Sequence, residues 1–508
     1  MIDGNSNVLL AAEAPGPLAG ARWSNLLLGA AALLFLCAVA VAHYPSADLW
    51  WHLRAGQYIL ETHHVPRTDP FSFSAAGKPW IAHEWLSEVI LYSVYHYGGF
   101  RSLSAAMALV AGGAFWLVTW TAKPRPRLGV IAAAFAVWSV RGLLLLRPGD
   151  FTLLLGAAFL WRLRRFQETG RVRPLAALPL LTLLWVNLHG GYVLGLVLIL
   201  LFALGTLLER WGGQRVQGVQ QARALGLALL SCALVVPLNP NGLRMYGYPL
   251  KTLFSPVMQS AIVEWQPLNL AWSQFRLFEA FVLAAFLVMI VQRKRTKPTE
   301  LVLFIPVVLL ALRSMRNLTL CALVCAYIFG CHPVLGGWRW PRRVKIRPAA
   351  RYVLAMAGVL LALAALCVQV GRTARRLQSW EQTHCPSGAV AFLQEHGLHG
   401  RIFNSYAFGG YLIWRLYPES QVYVDGRADM YGDAFLTRYL NLYLGLVPLE
   451  PELDQQKVDI LVLHRFSYLG IQSPEVKMYW TSVYEDSVSA IFVRRKSREA
   501  GLLHKSGG

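Results

Sequence analysis

The stretch of sequence that decides the fold is Ser24–His43, which reads SNLLLGAAALLFLCAVAVAH. An α-helix rises about 1.5 Å per residue, so an apolar stretch of this length crosses a hydrocarbon core about 30 Å thick. No small-residue cleavage site follows it, and equally apolar blocks recur along the chain, which is not the pattern of a cleaved signal peptide. We therefore interpret Ser24–His43 as the first membrane-spanning helix.

Similar apolar blocks continue down the chain. Of the 508 residues, 56% are hydrophobic and only 15% are charged, whereas soluble domains average about 25% charged residues. The blocks predict an α-helical polytopic membrane protein with about eleven spans between residues 24 and 370. After the first span we predict Ser102–Thr121, Leu128–Leu146, Phe151–Trp161, Leu175–Leu188, Tyr192–Leu208, Ala224–Leu238, Leu277–Gln292, Leu301–Leu312, Leu318–Gly330 and Tyr352–Val370.

The formal net charge of +21 is concentrated in short loops. Such loops face the cytoplasm, so the charge indicates topology and predicts no nucleic-acid partner. It places residues 1–23 inside and loops 44–100 and 239–276 outside. Trp85–Tyr97 is either an interfacial helix or an extra crossing. The clusters are Lys123, Arg125 and Arg127; Arg162, Arg164, Arg165, Arg171 and Arg173; Arg293, Lys294, Arg295 and Lys297; and Arg339, Arg342, Arg343, Lys345 and Arg347.

The tail, residues 371–508, has ordinary polarity and alternates helix and strand patterns. This alternation predicts a small extracytoplasmic α/β domain. The predicted helices are Pro386–His396, Gly410–Tyr417 and Ala434–Tyr443, and the predicted strands are Arg401–Phe403, Gln421–Val424, Asp459–His464 and Ser489–Arg494.

The first outer loop carries a dense set of acidic side chains and histidines. Asp48 follows the first span, where a half-dry carboxylate with a raised pKa can act as a general base. Asp48 can equally cap the following helix. His83 and Glu84 suit metal ligation or the orientation of a substrate hydroxyl, and the alternative is a solvated helix start. Asp69 is a further candidate acid.

Other polar residues lie near predicted outer helix ends. Individually they suit capping or snorkelling, but together they suit an acid–base centre beside a phosphate clamp. In the tail, Asp425 and Arg427 end a predicted strand, where α/β domains bind ligands, or else form an internal pair that fastens the domain. Tyr411 is a third candidate of the tail. The candidates for binding substrate or lipid phosphate are His52, Arg54, His83, Arg147, His189, Asn239, Glu264, Arg313 and Arg316.

Several motifs resemble known membrane proteins. The run from Asp48 to Arg54 (DLWWHLR) is similar to the Asp-Pro-x-x-x-x-Arg start of the first outer loop in oligosaccharyltransferase catalytic subunits, with Leu49 replacing proline. The motifs Asp-x-Trp-Trp-His-Leu, Asp-Pro-Phe-Ser, His-Glu-Trp-Leu, Trp-x-Asn-x-His-Gly, Asn-Pro-x-Gly and Val-Asp-Gly-Arg resemble bacterial membrane proteins grouped with family-39-like glycosyltransferases. That resemblance covers nearly the whole chain and implies a bacterial cytoplasmic (inner) membrane, whereas the link to the GT-C superfamily rests mainly on the first outer loop and the topology.

The resemblance implies a glycosyltransferase that uses a polyprenyl-phosphate-linked sugar on the outer face of the membrane, with an unidentified acceptor. It makes Asp48 the catalytic base and Asp69 or Glu84 a second acid. It also makes arginines the holders of the carrier phosphate, namely Arg147, Arg313 and Arg316. A divalent metal is optional in the superfamily, and its candidate ligands here are Asp48, His83 and Glu84. The alternative is a non-catalytic scaffold or assembly protein whose tail docks a partner.

Overall fold

The computed structural model describes residues 17–41, 46–121, 126–209, 215–332 and 347–495. Most of the predicted inner segment 1–23, and the basic positions Lys123, Arg125 and 339–345, lie outside the described residues. Apolar blocks form helices because a bilayer offers backbone groups no water, so each segment must satisfy its own hydrogen bonds. The helices up to the tail are α1 Pro17–Ala40, α2 Leu49–Thr62, α3 Trp85–Thr119, α4 Pro126–Val140, α5 Gly149–Thr169, α6 Leu178–Leu188, α7 Tyr192–Glu209, α8 Arg215–Val235, α9 Arg244–Leu253, α10 Pro256–Ala261, α11 Arg276–Val291, α12 Pro298–Arg313, α13 Leu318–Cys331 and α14 Pro348–His384.

A helix occupies the position of every predicted span, with ends that differ by several residues. Within the described part of the chain, six helical segments are long and apolar enough to cross a membrane. They are Trp23–Ala40, Trp85–Thr119, Tyr192–Glu209, Gly218–Leu238, Ser273–Val291 and Pro348–His384. The chain is therefore a multi-pass membrane protein, and the total of about eleven crossings stays a prediction.

Two features of the bundle differ from simple straight spans. α3 continues from Trp85 to Thr119 but breaks at Gly98 and Gly99, where Gly99 has φ 56 and ψ −150. This backbone conformation is open to glycine alone at little cost, so the break divides Trp85–Tyr97 from the apolar segment beyond it. The interfacial position of Trp85–Tyr97 stays a prediction.

The last helix of the bundle runs further than predicted. α14 continues to His384, so the first residues of the predicted 371–508 domain belong to this helix. They contain no proline, and the helix ends where Cys385 precedes Pro386. Cys385 is extended, with φ −94 and ψ 152, because the residue before a proline is disfavoured in the α conformation.

The tail folds around one five-stranded sheet of order β2-β1-β3-β5-β4. β1 pairs in parallel with β2 and β3, while β5 pairs antiparallel with β3 and β4. The α/β prediction agrees with this architecture, although it omitted β4. The elements are α15 Ser387–Glu395, β1 Gly400–Asn404, α16 Gly409–Leu416, β2 Ser420–Val422, α17 Ala428–Tyr431, α18 Asp433–Tyr443, α19 Glu450–Gln455, β3 Ile460–His464, α20 Tyr468–Ile471, α21 Pro474–Tyr479, β4 Trp480–Glu485 and β5 Ser489–Arg494.

The tail domain packs directly on the first outer loop. One hydrophobic core joins Trp50 and Leu53 of α2 to Leu412 of α16 and Val462 of β3. The loop also extends the sheet, because the Phe73 backbone N–H donates to the Val422 carbonyl at 3.1 Å. The domain is therefore held against the α2 end of the bundle by both apolar packing and backbone pairing.

Candidate functional site

Asp48 lies immediately before α2 but does not cap it. Its backbone is helical, with φ −71 and ψ −22, and its side chain accepts no hydrogen bond from the helix N–H groups. One carboxylate oxygen instead accepts from the Trp51 indole at 3.1 Å, and the other from the Ser46 hydroxyl at 3.3 Å. The alternative of a helix cap is therefore wrong.

The Asp48 carboxylate is half-buried and lies among opposing charges. Burial raises the pKa of Asp48, and the nearby Glu264 carboxylate adds to the effect, whereas His52, Trp51 and Arg147 act against it. The net pKa lies above the ordinary value. A carboxylate with a raised pKa is a better proton acceptor than an exposed aspartate, which is what a general base requires.

Glu84 is the centre of a cluster of three histidines. Its carboxylate oxygens lie 3.1 Å from His83 Nε2, 3.3 Å from His189 Nε2 and 3.6 Å from His52 Nε2. Glu84 is only 9% exposed, so the alternative of a solvated helix start is wrong for this residue. The cluster gathers side chains from α2, the start of α3 and the turn after α6.

The protonation states of this cluster follow from the burial of its side chains and from the contacts between them. Burial favours neutral His83, but the Glu84 carboxylate outweighs it and raises the pKa of His83 to about 9. Burial alone raises the pKa of Glu84, yet the histidines, His83 first, hold it well below its usual range. Burial lowers the pKa of His189 to about 4. Near neutral pH the cluster therefore contains a His83–Glu84 ion pair beside a neutral His189.

Hydrogen bonds extend the cluster in two directions. The Thr152 hydroxyl lies 2.8 Å from His189 Nδ1 and accepts from the Trp185 indole at 3.0 Å. The Tyr248 hydroxyl lies 3.2 Å from His83 Nε2. Burial, followed by the Asp429 carboxylate of the tail domain, raises the pKa of Tyr248 well above its ordinary value. The cluster thus connects the bundle to the tail domain.

Two arginines lie at the same end of the bundle. Arg147 forms an ion pair with Glu264, and the Arg316 guanidinium stacks over the Trp265 ring at 4.4 Å. The two guanidinium groups are close enough to repel each other, and Arg147 also interacts with Asp48. Neighbouring cations of this kind are stabilised by an anion between them.

An apolar cavity of about 390 Å³ lies between α11 and α12. Leu268 and Leu312 line it, and the Leu268 N–H donates to the Leu312 carbonyl at 3.0 Å. The same loop carries Glu264 and Trp265, so the cavity adjoins the charged groups. Arg313, in contrast, is exposed at the end of α12.

The residues do not assemble the candidate metal site. Within the described ranges, no group of three or more His, Cys, Asp or Glu side chains is arranged to hold a metal ion. The Asp48 oxygens face Trp51 and Ser46, while the nitrogens of His83 face the Ile81 carbonyl, Glu84 and Tyr248. The donor set around Asp48, His83 and Glu84 therefore does not fit a metal.

Several other candidates make structural contacts instead. Asp69, 5% exposed, accepts from the Phe71 and Ser72 N–H groups at 3.0 and 3.1 Å and from Arg427 at 2.7 Å. Arg427 also contacts Asp425 through two nitrogens, at 2.6 and 2.8 Å. The fastening role of the Asp425–Arg427 pair is therefore the one its geometry supports.

Three further candidates also face protein groups. Arg54 donates to Gln57 at 2.8 Å and lies over the Tyr417 ring of the tail domain. Tyr411, 2% exposed, donates to Glu381 at 2.9 Å. Asn239 donates to the Val186 carbonyl at 2.9 Å and accepts from Asn241. All three side chains therefore have partners within the protein.

Some residues of the cluster were not predicted as site residues. Glu88, with one carboxylate oxygen 3.4 Å from His52 Nδ1, lies one helical turn after Glu84, a spacing that places both on one face. Thr152 and Tyr248 lie within helices whose patterns give no sign of a site. Asp429 follows the Val-Asp-Gly-Arg motif closely, but only the packing of the tail domain brings it to Tyr248.

The comparisons with known proteins concern the fold. Neither a protein-family model nor a curated protein matches this sequence. The archaeal oligosaccharyltransferase AglB from Archaeoglobus fulgidus, solved with an inhibitory peptide and a dolichol-phosphate, matches with a TM-score of 0.54 and 12% identity. The match covers 94% of this chain and 74% of AglB.

The chain has the GT-C glycosyltransferase fold. Two further solved structures have a similar fold. ArnT from Cupriavidus metallidurans in the apo state has a TM-score of 0.50 and 12% identity, covering 93% of this chain and 98% of ArnT. The arabinofuranosyltransferase AftD from Mycobacteria has a TM-score of 0.52 and 15% identity, covering 93% of this chain and 40% of AftD. The expected GT-C architecture is confirmed.

Proposed function

We propose that this GT-C protein transfers a sugar from a polyprenyl-phosphate donor to an acceptor on the outer face of a bacterial cytoplasmic membrane. The observation that carries the proposal is the half-buried Asp48 carboxylate, which interacts electrostatically with Arg147 at the end of an apolar bundle. AglB, which shares this fold, was solved with a dolichol-phosphate. These observations support a base and a cationic pair within reach of a membrane-borne phosphate.

The proposed donor fits the cavity and its neighbours. In this proposal the apolar cavity between α11 and α12 holds part of an isoprenoid chain, and Arg147 and Arg316 hold the phosphate. Arginine suits this role because its planar fork donates two hydrogen bonds to a phosphate. The donor would therefore lie with its chain among apolar side chains and its phosphate between the guanidinium groups.

The chemistry is a nucleophilic displacement at the anomeric carbon. The acceptor oxygen forms a bond to that carbon while the bond from the carbon to the phosphate oxygen breaks. Asp48 takes the acceptor proton, and the prenyl phosphate leaves as an anion that the arginines stabilise. The His83–Glu84 ion pair contributes a fixed field near the reacting groups rather than a second base.

The test measures release of prenyl phosphate by the full chain in lipid nanodiscs, with water taking the sugar in place of the unidentified acceptor. A panel of farnesyl-phosphate-linked monosaccharides serves as the donor, and mass spectrometry quantifies the released farnesyl phosphate. We expect Asp48→Asn to lower the rate about 1000-fold, within the range for loss of a general base. The matched control is Asp454→Asn, whose side chain is 77% exposed.

Two outcomes contradict the proposal. If Asp48→Asn releases farnesyl phosphate at nearly the wild-type rate, Asp48 is not the base. If no donor in the panel is consumed and no prenyl phosphate binds, the protein is better described as a non-catalytic scaffold with a GT-C fold. In that case a stable protein complex purified through the tail domain is the expected finding.

A further inference from the structure

The loop that follows β2 in the tail domain reaches the Asp48 carboxylate. A Cβ added at Gly426 would lie 2.1 Å from Asp48 Oδ1 and 2.9 Å from Trp51 Nε1. Real Cβ atoms essentially never approach so closely, so a side chain at position 426 requires the Asp48 carboxylate or the Trp51 indole to shift. The Gly426 backbone therefore lies directly against the Asp48 carboxylate.

The same loop is fixed by an ion pair across the domain boundary. Arg427 is 1% exposed and bridges Asp425 of its own loop and Asp69 of the first outer loop. Its guanidinium also lies 4.6 Å from the Trp80 ring centre and 5.1 Å from that of Phe71. Cation–π contact of this kind favours a desolvated guanidinium.

Every oxygen of the two carboxylates has a partner. The Phe71 N–H and Arg427 donate to one Asp69 oxygen, and the Ser72 N–H and hydroxyl donate to the other. Arg427 contacts both oxygens of Asp425, and the Tyr431 hydroxyl donates to one of them at 2.7 Å. A fully satisfied buried network has one geometry, so it sets where Gly426 lies.

We propose that the Asp425–Arg427 loop is a positioning element that holds the Asp48 carboxylate against Trp51, with Arg427 as the residue that couples the tail domain to the first outer loop. Asp48 and Asp69 belong to the same outer loop, and Arg427 fixes the tail domain to that loop. Gly426 then closes the side of Asp48 that faces the domain. The catalytic consequence rests on the proposed role of Asp48.

The geometry of the contact can be observed without a substrate. The full chain is labelled with 5-fluorotryptophan in nanodiscs, and the Trp51 resonance is assigned by its loss in Trp51→Phe. Because the Trp51 indole donates to Asp48, its fluorine shift reports the position of the carboxylate. The same samples give kcat and KM for farnesyl phosphate release.

Gly426→Ala is the most direct test, because it adds only the Cβ that would meet Asp48. Gly426 is not among the glycines with positive φ, so alanine can adopt its backbone conformation. We expect a displaced Trp51 resonance and a kcat about 100-fold lower with little change in KM, as for a misplaced catalytic group. Arg427→Met should produce the same displacement, and Arg427→Lys should partly restore the wild-type resonance. The control Gly371→Ala, at an open position, should change neither.

The proposal is overturned if Gly426→Ala and Arg427→Met both leave the Trp51 resonance and kcat at wild-type values. A lower unfolding temperature with an unchanged Trp51 resonance would also overturn it, since Arg427 would then be structural only. If instead the proposed function is wrong, the same measurements give a different set of results. In that case Asp48→Asn retains its activity, while Gly426→Ala still displaces the Trp51 resonance and supports the positioning role.

Discussion

Asp48 and Asp69 lie in the same outer loop but have opposite surroundings. Asp69 is 5% exposed, and both its oxygens accept hydrogen bonds from backbone, hydroxyl and guanidinium donors. Asp48 is half-buried, and the Trp51 indole and the Ser46 hydroxyl donate to it. A carboxylate surrounded by donors stabilises the fold, whereas a desolvated carboxylate with few donors retains its affinity for a proton.

The arginines near the two aspartates also differ in how far they are exposed. Arg427 lies between two carboxylates and two aromatic rings, with no exposed surface left in its side chain. The Arg147 side chain is 22% exposed although it pairs with Glu264. The Arg427 side chain has no exposed surface for a ligand, whereas the Arg147 side chain retains some. This difference separates the structural pair from the proposed phosphate clamp.

The first prediction compares the stability of two variants, each with one of the two aspartates replaced by asparagine. Asp69→Asn leaves Arg427 with one carboxylate and should lower the free energy of unfolding by about 2–3 kcal/mol, as for loss of a charged hydrogen bond. Asp48→Asn should leave stability unchanged or slightly higher, because the raised pKa shows that the folded state disfavours the charged form. Thermal unfolding of both variants in detergent micelles measures the difference. Equal losses of stability would remove the distinction between the two sites.

The second prediction concerns the proposed clamp. Arg316→Ala should weaken binding of farnesyl phosphate about tenfold, because one charge-assisted contact is lost. The measurement is the ligand-dependent rise in unfolding temperature of the protein in nanodiscs. Arg244→Ala is the control, since Arg244 is exposed on the second outer loop. An equal effect of both substitutions would indicate a general charge effect rather than a clamp.

The sequence predicted the bundle and the order of the tail elements because hydrophobic periodicity is local. It did not predict where the tail domain would sit, and that placement decides the roles of the predicted residues. Asp69 and Arg427 are distant in sequence, so their ion pair exists only after the domains pack. Tyr248 and Asp429 likewise come together only when the tail domain packs on the bundle. The contacts of Asp48 with Ser46 and Trp51, and of Glu84 with His83, were predictable because these partners are close in sequence.

The third prediction uses pH to test the His83–Glu84 pair. The pKa of His83 is raised to about 9, above the unfolded value of about 6.5. Its contribution to stability is therefore fully present below pH 6.5 and is lost as the pH rises through about 9. We expect the unfolding temperature to fall between these limits, and His83→Gln to reduce that fall. An identical pH dependence in wild type and variant would contradict the pair.

The last prediction concerns Tyr411, which contacts α14 through its hydroxyl and α2 through its ring. The hydroxyl donates to the half-buried Glu381 at 2.9 Å, and the ring packs edge-on against Trp50 with centroids 5.0 Å apart. Tyr411→Phe removes only the hydrogen bond and should cost about 1 kcal/mol of stability. Tyr411→Ala removes the ring as well and should cost about 3–5 kcal/mol. If the two variants are equally stable in thermal unfolding, the ring contact does not hold the tail domain on α2. The Asp69–Arg427 pair then contributes more of the free energy that holds the domain on the first outer loop.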